Sequence, residues 1–330
     1  MIQTPKIISL FSGAGGLDLG FKAEGFNITL ALDLEQAAIK THKKNFKQTE
    51  SIAVDLTQIG PTGVLEKVKQ FIPVGDKIGV IGGPPCQGFS RANPSSKVDD
   101  PRNLLPALYL SIIQELQKEY CIEFVVFENV LGMKDKKHEA KYKSLLSGLI
   151  KLGFDVNEQI LCALDFGVPQ NRTRIIISAM NAGKGYTKVI PIKRKGKQTV
   201  REAIGNLCEP VFFQRDLKVS AFPTHPNHWT MTPKSIRFKQ PSVKTQTRSF
   251  RKLSWDKPSP TIAFGNREIH VHPEGKRRLS IYEAMLLQGF PSSFILEGNL
   301  SQQVTQISNA VPPPLARSVA AAVKKSLEGK

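Results

Sequence analysis

Short apolar runs separated by polar or helix-periodic stretches mark the first half of the chain. They are Ile7-Ile8-Ser9-Leu10-Phe11, Ile28-Thr29-Leu30-Ala31-Leu32, Ile52-Ala53-Val54, Ile78-Gly79-Val80-Ile81, Phe124-Val125-Val126-Phe127 and residues 155–161. Each has the length and apolar content of a strand buried in a sheet. Helical stretches are predicted after the glycine turn at 13–16 and over 104–118 and 140–152. Strands alternating with helices predict an α/β domain. Beyond about Asn181 the helical period fades, and Gly, Pro, Ser, Thr, Lys and Arg dominate to about Arg278. Two helical stretches, 279–288 and 313–327, close the sequence.

Chemistry-bearing residues collect where the runs end, and open α/β folds bind their ligands at that edge. The first run leads into Ser12-Gly13-Ala14-Gly15-Gly16-Leu17, a turn whose glycines let backbone approach a ligand before a helix begins. Asp33 ends the second run, twenty residues after Gly13, at the offset where a carboxylate takes ribose hydroxyls in nucleotide-binding units. The third run is expected to end at Asp55. Asp18 stands where GxGxxG would need its third glycine, which argues against a hydride-transfer dehydrogenase and for another adenosine-bearing cofactor. The fourth run stops at Gly82-Gly83-Pro84-Pro85, and the next residue is Cys86. Glu128 and Asn129 end the fifth, and Arg172 and Arg174 alternate into a later strand so that both face one side. Singly, these positions also read as a core cysteine, a salt bridge and an edge-strand charge pair.

Charge changes the picture of the second half. The chain carries 46 Lys/Arg against 28 Asp/Glu, a net +18, and residues 184–278 alone hold 21 against 6. An excess gathered in one segment, with Phe212, Phe213, Phe222, Trp229, Phe238, Phe250, Trp255 and Phe264 interleaved, points to a polyanion-binding surface. Cys86, Cys121, Cys162 and Cys208 form no CxxC pair and are too few for a disulfide scaffold, so a reducing compartment is expected. Cys208, His225 and His228 match no metal-site spacing, and no metal is expected. No leader peptide or membrane-spanning run is legible.

The motifs, in order, resemble the DNA (cytosine-5)-methyltransferase family, of the bacterial or phage modification type. The residues that carry the resemblance are Leu10-Phe11-Ser12-Gly13-Ala14-Gly15-Gly16, Pro85-Cys86-Gln87-Gly88-Phe89-Ser90, Glu128-Asn129-Val130, Gln170-Asn171-Arg172-Thr173-Arg174, Leu287-Gln288-Gly289-Phe290-Pro291 and Gln306-Ile307-Ser308-Asn309-Ala310-Val311. Three positions depart from its usual pattern: Ser9 where many members have Asp, Ser308 for a usual Gly, and Tyr282 for a common Arg.

The resemblance implies a Rossmann-like S-adenosylmethionine-dependent methyltransferase domain, residues 1–185. A smaller, loop-rich target-recognition domain, 186–300, would be inserted before a C-terminal helix, 301–330, that returns to the first. It implies S-adenosyl-L-methionine as donor and S-adenosyl-L-homocysteine as product. The cofactor would be held by Phe11, Ser12, Gly13, Ala14, Gly15, Gly16 and Leu17, with Asp33 and Leu34 at the ribose and Asp55 and Leu56 at the adenine. Pro85, Leu105, Asn309 and Ala310 would complete that pocket. Cys86 would be the nucleophile toward carbon 6 of a flipped cytosine, Glu128 would protonate the ring near N3, and Arg174 would bond the ring carbonyl. Arg172 would fix Glu128 and the cysteine loop, beside Asn129. Gln87, Ser90, Arg91 and Thr261 would touch DNA. The expected setting is a monomer on double-stranded DNA in the bacterial nucleoid, with a cognate restriction endonuclease as possible companion.

A transfer-RNA cytosine-5 methyltransferase shares these motifs but typically carries Cys-Phe-Thr in its recognition region. None of the four cysteines here is followed by Phe-Thr. A non-catalytic DNA-binding relative would be expected to have lost Cys86, Glu128 or one of the arginines, and all are present.

Overall fold

The structure, a computed structural model, describes residues 4–85, 104–194, 196–214, 222, 224–239, 250–261 and 270–329. The first half runs β1 (Lys6–Leu10), α1 (Gly16–Ala23), β2 (Ile28–Asp33), α2 (Gln36–Asn45), β3 (Glu50–Ala53), α3 (Leu56–Lys69) and β4 (Lys77–Gly82). It continues through α4 (Leu105–Leu116), β5 (Cys121–Asn129), α5 (Glu139–Lys151), β6 (Phe154–Cys162), β7 (Gln170–Asn171) and β8 (Thr173–Asn181). Seven strands form one sheet in the order β3-β2-β1-β4-β5-β8-β6. All neighbours are parallel except that β8 runs antiparallel to both β5 and β6. This is a Rossmann-like α/β sheet, mostly parallel, as the alternating strands and helices predict.

The apolar runs are continuous because both faces of the sheet are covered. Successive side chains alternate sides: Ile8, Val125, Phe127, Ile175 and Ile177 join a core with helices α3, α4 and α5. Ile7, Phe124, Val126 and Ile176 join another with α1 and a late helix, α9 (Pro313–Glu328). The α1–α9 contact is unusually close. A Cβ on Gly20 would stand 2.3 Å from the backbone N of Arg317, and one on Gly16 would stand 2.3 Å from the carbonyl oxygen of Val311. Only glycine lets the two backbones meet there.

The third apolar run departs from expectation. Its strand stops at Ala53, and Asp55 instead caps α3, accepting from the Thr57 N–H at 2.9 Å. The demand of a helix start for an acceptor overrides the apolar pattern here. Helix α3 was not announced by the sequence because Gly60 (φ 62°) and Pro61 break it into two segments.

Between 185 and 280 the described elements are short: α6 (Val200–Ile204), β9 (Val211–Phe212), β10 (Trp229–Thr230) and β11 (Ser259–Pro260). Val200, Ile204, Trp229 and Leu253 from this segment share a core with α7 (Ile281–Leu287) and α8 (Leu300–Asn309), which also takes in Ala14 and Phe46. Ser280 and Glu283 cap α7 reciprocally, as Asn299 and Gln302 cap α8. Among the described residues no helix is long and apolar enough to cross a membrane.

Candidate active site

Strand order reverses between β1 and β4, and a crevice must open above their carboxyl ends. A cavity of about 340 Å³ lies there, a size that suits a small organic ligand. Its walls come from the ends of four parallel strands (Phe11 to Gly13, Asp33, Gly82 to Pro85 and Glu128), from Arg172 and Arg174, and from α8 and the residues after it. Because β8 is antiparallel, its first residues arrive at this same edge.

One end of the cavity carries groups that a nucleoside could use. The two Asp33 carboxylate oxygens accept the N–H groups of Gly13 and Glu35, each at 2.8 Å, and keep further lone pairs for a diol. Burial raises the Asp33 carboxyl above the usual carboxylate range, against the pull of those two N–H groups. Phe11 sits at φ 53°, a left-handed conformation that costs an aromatic residue about 1–3 kcal/mol and marks a functional turn. A Cβ on Gly13 would meet nothing within 4 Å, so its backbone fronts open space. Carboxylate, open glycine backbone and the apolar Phe11, Leu17 and Ala37 together fit S-adenosylmethionine.

The other end is charged. Glu128 is only 7% exposed, and Arg174 Nε lies 2.9 Å from its Oε1. Burial raises the Glu128 carboxyl above its ordinary value, while Arg174, then Arg172, pull it back. A Cβ on Gly83 would come within 3.0 Å of Glu128 Oε2, so the β4 exit passes directly beside the carboxyl. The Asn129 amide donates to the Pro84 carbonyl at 3.2 Å and ties that exit down two residues before Cys86.

The arginines divide their work. Arg172, 1% exposed, donates to the carbonyls of Ser308 and Ala310 at 2.8 and 3.0 Å. The Gln288 amide donates to Ile307 and Ala310 carbonyls at 2.6 and 2.8 Å. Together they satisfy the carboxyl end of α8, which a positive guanidinium suits. Thr261 donates to the Asn171 carbonyl at 2.6 Å, next to β11, which pairs with β7. The segment after 185 is thereby stitched to the residues that lead directly into the arginine pair.

Residues 5–325 match the C-5 cytosine-specific DNA methylase family. The chain belongs to that family. It is 34% identical to the Type II methyltransferase M.MthTI of Methanothermobacter thermautotrophicus, over 98% of both chains. M.NgoPII of Neisseria gonorrhoeae is 31% identical over 98% of this chain and 96% of its own. Among solved structures, a prophage-encoded E. coli protein assigned as a DNA modification methyltransferase superposes with a TM-score of 0.80 at 23% identity, covering 98% of this chain and all of its own (100%). The Entamoeba histolytica methyltransferase EhMeth gives 0.67 at 17% identity, over 98% and 99%. These two share the fold. The protein is accordingly a DNA (cytosine-5)-methyltransferase that uses S-adenosylmethionine.

For this methylase, the cavity brings together Phe11, Ser12, Gly13, Ala14, Gly16, Leu17, Asp33, Pro85, Glu128, Arg172, Arg174, Asn309 and Ala310. Gly15, Leu34, Asp55, Leu56 and Leu105 stand outside its lining. Leu34 is 61% exposed, whereas Leu56 is buried in the core. Cys86, Gln87, Ser90 and Arg91 lie outside the described residues. Sequence reading missed Ser9, Asp18, Glu35 and the α8 residues Ser301, Gln302, Thr305 and Gln306, all of which reach the cavity. The α8 row recurs on one face of a helix, a period hidden because its inward side is polar. His228 is buried between Ser280 Oγ and the Cys208 carbonyl, and His225 stacks on Tyr282 at 4.1 Å.

Proposed function

We propose that this chain methylates carbon 5 of one cytosine within a specific double-stranded DNA sequence, by flipping the base out and bonding Cys86 transiently to its carbon 6. The observation that carries the reading is Glu128: a carboxyl kept toward its acid form by burial, beside the exit of β4, with Arg174 against it.

Carbon 5 of cytosine is a poor nucleophile until the ring's aromaticity is relieved. Addition of the Cys86 thiolate to carbon 6 pushes an electron pair into the ring, and charge grows toward N3. The Glu128 acid hydrogen-bonds there and relieves it, and its other oxygen accepts from the exocyclic amine, which selects cytosine over thymine. Arg174 holds that carboxyl's orientation and offers its remaining N–H groups to the ring carbonyl. S-adenosylmethionine supplies, when bound, an activated methyl group. Asp33, Phe11 and the Gly13 backbone bind and orient it, while Arg172 and Gln288 hold the Ser308–Ala310 wall shut against water. Once the ring's electron pair has bonded carbon 5 to the methyl group, the carbon-5 proton passes to water, the C5–C6 double bond re-forms, and Cys86 leaves as the thiolate.

A stacked duplex hides its base, so the base must be everted. Residues 186–300, with the segregated positive charge, serve as the recognition region, and 301–330 complete the catalytic domain. The Type II relatives support a role beside a restriction endonuclease of the same specificity. DNA carrying 5-fluorocytosine at the target, incubated with donor, should yield a protein–DNA adduct that survives denaturing electrophoresis. Absence of any adduct at a site shown to be methylated by bisulfite sequencing would overturn the covalent step.

A further inference from the structure

The pocket floor contains a buried polar chain that the reaction itself does not use. Ser9 donates to Asp18 Oδ1 at 2.7 Å, Asp18 Oδ2 lies 2.7 Å from His42 Nε2, and His42 Nδ1 lies 2.8 Å from Ser51 Oγ. All four residues are at most 1% exposed. Ser9 and Asp18 also line the cavity. Such a set is costly to desolvate and stays only where every member is bonded.

The geometry says what the chain supports. The His42 ring stacks on Phe46, centroids 4.1 Å apart and 13° from parallel. The glycine turn rests on that stack: a Cβ on Gly15 would stand 2.5 Å from Phe46 Cε2 and 2.9 Å from His42 Cδ2. The ring plane of His42 therefore sets the height of the turn. In the tautomer protonated at Nε2, the imidazole donates to Asp18 and accepts from Ser51, which fixes that plane from both ends. The preceding residue, Thr41, donates to Gln306 Oε1 at 2.6 Å, on the opposite cavity wall. Adjacent residues of α2 thus hold the glycine turn on one side and α8 on the other.

We propose that Asp18 and His42 are a positioning pair for the methyl donor: they set the donor-binding turn without touching the cytosine. The proposal rests on the methyltransferase reading only for the identity of the ligand. Two properties separate it from a plain packing role. Donor affinity should depend on Asp18 more than on overall stability does, and DNA affinity should not follow.

The test is calorimetric titration with S-adenosylhomocysteine, alongside duplex binding without donor and melting temperature. Native protein that bound no S-adenosylhomocysteine would indict the cofactor assignment itself. With native binding established, Asp18→Asn should weaken it about tenfold or more and raise the donor KM by a similar factor. Turnover at saturating donor should change far less, and duplex affinity should stay within twofold. Ser51→Ala, which frees only the outer end of His42, should weaken donor binding about threefold. A folded Asp18→Asn protein with native donor affinity would overturn the proposal. If Asp18→Asn does not fold, Ser9→Ala decides, because it takes one bond from Asp18 and leaves its hydrogen bond with His42. Donor affinity at least threefold weaker supports the proposal, and native affinity overturns it.

Discussion

The carboxyl edge of the sheet and the segment from 186 to 261 are held by different means. At the edge, backbone fixes Asp33 by two N–H groups, Arg172 by two carbonyls and Asn129 by the Pro84 carbonyl, while Glu128 is held by Arg174. In the later segment the strands are two residues long, and aromatic rings meet guanidinium groups instead. Arg201 lies 5.4 Å from the Trp255 ring and Arg237 lies 5.7 Å from that of Phe250. Bond making needs atoms fixed to within a fraction of an ångström, so its residues sit on strands and are tied to main chain. The recognition role proposed for the later segment would need surface that can change without disturbing that frame, which short loops pinned at a few points offer.

Substitutions at the edge should therefore cost rate or fold, and those in the later segment should cost only affinity. Cys86→Ser should lower single-turnover methylation by at least about a thousandfold while gel-shift affinity for duplex DNA persists. Undiminished turnover would break the comparison at its strongest point. Glu128→Gln should cost roughly a hundredfold. Because burial raises the Glu128 carboxyl, its acid form persists above the usual carboxylate range and is lost as pH rises through the folded value. Native turnover should show that alkaline fall, and the Gln variant should lack it in the same pH series.

Arg172→Lys keeps the charge but has a shorter reach and lacks the fixed N–H directions by which the single Nη2 serves two carbonyls. A loss of about 1–3 kcal/mol is expected in denaturant unfolding, with weaker donor binding beside it. Gly20→Ala should cost about 1–3 kcal/mol, since its methyl group collides with the α9 backbone. The smallest effect belongs to the other region. Lys234→Ala, at an exposed position, should leave the melting temperature unchanged and flatten the salt dependence of DNA binding by about one unit of slope if that lysine meets a phosphate.

The sheet was legible because parallel strands buried on both faces are nearly all apolar: β1, β2 and β4 could be read within a residue or two, and β5 to its end, though it begins three residues before the apolar run. The arginine pair was legible as a pair, but not its division of labour. Alternation puts Arg172 and Arg174 on one side, yet only the return of α8, more than a hundred residues later, decides that one caps a helix while the other meets Glu128. The Ser9–Asp18–His42–Ser51 chain was invisible for a related reason. Its members come from β1, α1, α2 and β3, and each reads alone as an ordinary polar residue. Local pattern reports burial; it does not report which distant partner satisfies a buried polar group.

The seam between α1 and α9 bears on how the protein is made. Lys324 reaches the Glu24 carbonyl across 300 positions of sequence, and Gly16 abuts Val311. A ribosome will have released the first strands long before the helix that covers them leaves the exit tunnel. The wall of the donor site formed by α8 and the residues to Val311 emerges just ahead of that helix, so a chain cut short before it should be inert toward DNA, and methylation should begin only once both have folded back.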